Sequence, residues 1–302
     1  MSRLAKVITH QGRGPIRIMP YGIEGVGKTS FAAGAPKPVF IAAEGGLDEI
    51  PGAQEMPDVV SFSDVRSAVR ELITGKHNFE TLVIDSLDWV EKLAHAEILE
   101  VNKNSKGKNI ITVNGGYGAG YRGSETMHRE LIADLTELET KRKMNIIGIA
   151  HYEIKKVKDP DLNQEYDAYQ PKMHEYVSAL WREWFKAVLF CRFETMVKED
   201  DNGKIKTFGS NNRIMYTQQR PAFKAKNRYN LPFEIKDVSW TAFEAALADN
   251  ANSPERVAAD LESLKLSLKT EDLARMTAAV EAAKGNLLQL INIRNHAMTL
   301  AE

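Results

Sequence analysis

The residues with the most specific chemical potential run Gly22-Ile23-Glu24-Gly25-Val26-Gly27-Lys28-Thr29, followed by Ser30. The spacing satisfies the Walker A pattern. Glycines let successive backbone N–H groups turn inward around phosphate oxygens, and a helix starting at Lys28 adds a favourable dipole. Lys28 supplies a point charge to the β- and γ-phosphates, and Thr29 offers a hydroxyl to Mg²⁺. Residues 22–30 therefore predict a site for ATP with its magnesium ion.

Three further polar side chains stand at the ends of apolar runs. Thr81-Leu82-Val83-Ile84 leads into Asp85, the arrangement in which a second strand holds the magnesium hydration shell. Asp85 could instead cap a helix over 87–101, a role also open to Ser86. Val39-Phe40-Ile41-Ala42-Ala43 leads into Glu44, and Asn145-Ile146-Ile147-Gly148-Ile149-Ala150 leads into His151. If those runs are parallel neighbours, all three tips face one nucleotide.

The elements needed to place them there are legible. Val-, Ile- and Phe-rich runs at 15–20, 38–43, 81–84, 145–150 and 187–193 lack polar alternation and read as buried parallel strands. Helical patterns over 28–33, 63–74, 87–101 and 125–143 separate them, which predicts a doubly wound sheet with right-handed crossovers. Two stretches break the rhythm. Residues 102–124 hold six glycines, Tyr117, Tyr121 and four basic residues, and read as a loop. Residues 202–230 hold seven basic residues and no acid around a strand at 213–217. Beyond Pro232 only helices are expected, with Ser253-Pro254 opening one of them. The domain reading is a core over 1–250 and a helical appendage over 251–302.

Net charge is −1, with 43% hydrophobic and 27% charged residues, so no global attraction for polyanions exists and any such site is local. Cys191 is the single cysteine, which excludes an internal disulfide or a cysteine-based zinc site. No stretch reaches the ~18 apolar residues of a membrane span, and no membrane partner is expected. These features fit a cytoplasmic location.

With those motifs in order, the chain resembles RecA-like ATP-binding proteins of bacteriophages, and among them the Sak-type single-strand annealing ATPases. The segment Ala43-Glu44-Gly45-Gly46-Leu47-Asp48 is similar to the RecA motif whose glutamate polarises the attacking water. By that resemblance Glu44 is the general base and His151 a γ-phosphate sensor coupled to the chain over 152–169. Lys226-Asn227-Arg228 is similar to the element by which RadA- and DnaB-type ring ATPases reach a neighbouring subunit's γ-phosphate, which implies a finger role for Lys226 and Arg228. The Asp159-Pro160-Asp161 and 166–171 segments add to the likeness. The resemblance implies an α/β, RecA-like P-loop NTPase core with a mostly parallel sheet.

It also implies an ATPase of DNA recombination or annealing that binds single-stranded DNA as a homo-oligomer, with a single-strand-binding or replication protein as a further partner. The two basic stretches would track phosphates and Tyr117, Tyr121, Tyr152 and Tyr169 would offer stacking faces. Another reading is an ATP-controlled helicase loader or packaging accessory whose partner is protein. A small-molecule kinase is disfavoured, because Glu44 suits attack by water.

Overall fold

The computed structural model describes residues 14–104, 107–158, 164–199, 205–248, 253–265 and 268–301. The Asp159-Pro160-Asp161 segment and the boundary at Ala251 lie outside the described residues. The chain runs β1 (Arg17–Gly22), α1 (Lys28–Ala33), β2 (Pro38–Ala42), α2 (Phe62–Thr74), β3 (Thr81–Asp85), α3 (Leu87–Val101), α4 (Ala119–Arg142) and β4 (Asn145–Gly148). It continues through β5 (Ala150–Lys158), β6 (Glu165–Pro171), α5 (Glu175–Trp184), β7 (Ala187–Glu199), β8 (Ile205–Tyr216), β9 (Lys226–Asn227) and β10 (Glu234–Ile235). Four helices follow: α6 (Trp240–Ala248), α7 (Pro254–Leu264), α8 (Thr270–Ala282) and α9 (Leu287–Ala301).

The sheet order is β10-β8-β7-β1-β4-β3-β2. From β7 to β2 every pairing is parallel, and β8 and β10 add antiparallel edges. This is the expected α/β core, and the apolar runs explain it. Strands covered on both faces have no solvent side on which polar residues could alternate. Val39, Ile41, Leu82 and Ile84 face α2 and α3, whereas Phe40, Val83 and Ile147 face α1 and α6.

Local signals hold the covering helices. Ser61 and Asp64 form a reciprocal capping box at the start of α2. Val65, Ala68, Val69 and Leu72 recur at helical spacing and are buried on the sheet. On the opposite face Phe31 packs against Trp240 and Phe243, with ring centroids 5.7 Å away in both cases. In α7–α9, Val257, Leu261, Leu264, Met276 and Ala297 form a hydrophobic cluster of their own.

Three expectations need correction. Helix α4 begins at Ala119, not at 125, so Tyr121 and Arg122 belong to its first turn. Gly120 marks close packing rather than a loop: a Cβ there would lie 2.2 Å from the carbonyl oxygen of Ile110. Beyond Pro232 the chain is not all helical, since β10 pairs Ile235 with Met215; two residues are too few to show a period. The run over 145–150 is not a single strand that stops at His151. It breaks at Ile149, and β5 continues outward as a hairpin with β6.

Candidate functional site

The loop after β1 is shaped by its glycines. Gly22 pairs with Cys191 of β7, and a Cβ on Gly22 would lie 1.9 Å from the carbonyl oxygen of that residue. Gly25 and Gly27 have φ of 72° and 94°, a region that side chains resist. Val26 is fully buried and pins the turn to the core. Lys28 folds back over the loop, donating from Nζ to the carbonyl oxygens of Gly22 and Ile23, each at 3.0 Å. Burial lowers its pKa, against the pull of nearby Asp85 and Glu44.

Thr29 is the next residue on α1, and its hydroxyl donates to Asp85 Oδ2 at 2.8 Å. Asp85 closes β3 and is nearly buried. Burial raises its pKa, and the Thr29 hydrogen bond and Lys28 oppose that shift. The residue at the cap of α3 is Ser86, not Asp85, although its side chain makes no capping bond. Instead the Ser86 hydroxyl donates to Glu44 Oε2 at 2.9 Å. Asp85 is thus free of the capping role and faces Thr29. Mg²⁺ needs few protein ligands when phosphate oxygens and water complete its shell, and this converging oxygen pair fits that ion.

His151 joins the carboxylates into one network. Its Nδ1 lies 3.0 Å from Asp88 Oδ2 and its Nε2 lies 3.5 Å from Glu44 Oε1. Its backbone N–H also donates to Asp88 Oδ1 at 3.0 Å. The Asp88 hydrogen bond raises the His151 pKa against burial, with Glu44 adding to the rise. For Asp88 burial pushes the pKa up, but the bonds from His151 outweigh it and the net shift is downward. Both partners therefore favour the charged pair.

Lys28, Thr29, Glu44, Asp85, His151 and Arg213 line one cleft of roughly 390 Å³, together with Gly25, Gly27, Glu24 and Ser30 of the loop. That size suits a small-molecule ligand. Ile23 stands at the loop's entry, where its N–H donates to the Cys191 carbonyl oxygen at 3.2 Å. Sequence reading missed two of the residues now seen here. Asp88 carried a usable signal, an acid in the first helical turn three residues past Asp85. Arg213 was legible only as one of the seven basic residues of 202–230, because only the pairing of β7 with β8 brings it to this cleft.

Lys226 and Arg228 lie elsewhere. Strand β9 pairs with Ala187 and Val188 at the start of β7, before the Cys191 that meets Gly22. Lys226 Nζ donates to the carbonyl oxygens of Arg182 and Glu183 at 2.8 and 2.7 Å, ending α5. Burial, and secondly Arg228, push its pKa down to about 8. Neither residue reaches the cleft of its own chain. Of the four tyrosines, Tyr117 is fully exposed. Tyr121 stacks on His174 at 3.8 Å, and Tyr152 and Tyr169 pack on each other at 5.4 Å.

Fold and cleft together define a P-loop nucleotide-binding protein of the α/β class, whose ligand is a nucleotide, held as a rule with Mg²⁺. A family model described as an AAA domain matches residues 14–229, and the chain belongs to that family. Among solved structures the chain is similar to one titled crystal structure of the RadB recombinase. Identity is 15%, the TM-score is 0.35, and the match covers 68% of this chain and 81% of that one. No curated protein matches the chain. Among the described residues no helix is long and apolar enough to cross a membrane.

Proposed function

We propose that this chain hydrolyses ATP and, as an oligomer, couples that hydrolysis to single-stranded DNA in recombination or annealing. The observation that carries the catalytic part is the placement of Glu44. Its carboxylate stands in the same cleft as the P-loop and is held on both oxygens, by the Ser86 hydroxyl and by His151. A carboxylate so oriented takes a proton from water as that water attacks the terminal phosphate.

Lys28 leaves its two carbonyl acceptors for the phosphates, and Thr29 and Asp85 hold the ion with which ATP is bound. Mg²⁺ supplies charge neutralisation on the phosphate oxygens. His151, fixed by Asp88, senses the terminal phosphate and passes its presence to β5, which begins at residue 150. Lys226 and Arg228, beside the start of β7, act on the nucleotide of a neighbouring copy.

The DNA part rests on the β5–β6 hairpin, which starts at the sensing histidine and carries Lys155, Lys156 and Lys158, and on the exposed ring of Tyr117. The test is the ATPase rate with and without single-stranded DNA, at low and moderate salt. Stimulation that fades steeply with salt supports the proposal. Hydrolysis without any DNA binding leaves the ATPase standing and moves the partner to protein, as in a loading or packaging factor. Absence of hydrolysis overturns the catalytic part.

A further inference from the structure

Strand order sets the direction in which a nucleotide must lie. Glu44, Asp85 and His151 stand at the ends of β2 and β3 and at the start of β5, all to one side of β1. If Glu44 activates water as proposed above, the reacting phosphate points to that side. The rest of the nucleotide then leaves the loop on the other side, toward β7 and β8.

On that side a cation is waiting. Arg213 of β8 pairs with Phe193, two residues beyond the Cys191 that meets Gly22, so it stands past the strand tips. Its guanidinium reaches back over the loop, where a Cβ on Gly27 would lie 2.6 Å from Nη1. Among the described residues it makes no hydrogen bond or ion pair. Arg213 also walls a second, adjoining cavity of roughly 370 Å³, lined by polar side chains of Glu194, Asn211, Asn212, Lys236 and Asp237. An exposed guanidinium lying over a phosphate-binding loop, with no protein acceptor among the described residues, is matched by the oxygens of a phosphate chain.

We propose that Arg213 is a substrate-binding residue acting within its own chain: it grips the non-reacting phosphates, and the adjoining cavity receives the ribose and base. Asn211 and Lys236 line this cavity, and an amide and an ammonium suit hydrogen bonds to a base or sugar edge, which makes this cavity the part of the site that selects the nucleoside.

Equilibrium binding of ATP and of tripolyphosphate tests this in the wild type, in Arg213→Gln and in the double variant Asn211→Ala/Lys236→Ala. Arg213→Gln is expected to weaken both ligands about tenfold or more, the loss of a charge-assisted bond. The double variant is expected to weaken ATP and leave tripolyphosphate unchanged. Equal binding by wild type and Arg213→Gln overturns the role of Arg213, and a double variant that affects both ligands alike overturns the nucleoside cavity. A wild-type protein that binds neither ligand overturns the ATPase reading itself, and this inference with it.

Discussion

Replacing Gly22 with alanine perturbs the contact on which the cleft is built. The new Cβ would stand 1.9 Å from the Cys191 carbonyl oxygen, where ordinary contact begins at 3.4 Å, and the obstacle is backbone rather than a movable side chain. β1 and β7 must therefore separate by about 1.5 Å at this rung or distort to a similar extent. The hydrogen bond from Ile23 N–H to the same carbonyl goes with it, at a cost of about 1 kcal/mol. Overpacking strain adds about 1–3 kcal/mol, for a total near 2–4 kcal/mol. Misplacement of the phosphate loop on this scale costs on the order of 100-fold in turnover. Gly25→Ala is the control, because its Cβ meets nothing within 4 Å and only its φ of 72° is strained, which costs about 1 kcal/mol. Urea unfolding gives the stabilities, and ATP binding and phosphate release give the function. Equal losses of stability in the two variants would refute the claim that contact with β7 adds to the backbone strain that Gly22, with φ of 146°, shares with Gly25.

Glu44→Gln is expected to retain ATP binding and lose about 10²–10⁴-fold in turnover, read by phosphate release beside a binding titration; a normal rate removes Glu44 from the chemistry. Glu91, buried in α3 and accepting the His174 backbone N–H, has its pKa raised by burial from 4.5 to about 7. The folded state then holds an extra proton between those values, so stability falls as pH rises from 4.5 toward 7. Glu91→Gln should flatten that slope and raise stability at pH 8 by about 1–3 kcal/mol, measured by urea melts across pH. Arg228→Ala should slow turnover in the assembled state, and mixing it with Lys28→Ala protein should restore part of the rate if the finger works between copies. No rescue assigns Arg228 a role within its own chain.

The amino-acid sequence determined the P-loop, the apolar strands and the polar residue closing each run, because these depend on local spacing and on burial of whole strands. Residues 22–30, Glu44, Asp85 and His151 were legible for that reason, and so was the alternation of strand and helix. Where helix α4 starts was not legible, since Gly120 reads as a loop residue until the turn packed against it is known. Only the tertiary structure decided that Asp88 and Ser86 hold His151 and Glu44, and that Arg213 overhangs Gly27. It also set Lys226 and Arg228 beside the start of β7, outside the cleft. Those relations arise from strand order and register, which join residues about 40 to 190 positions apart and leave no periodic trace along the chain.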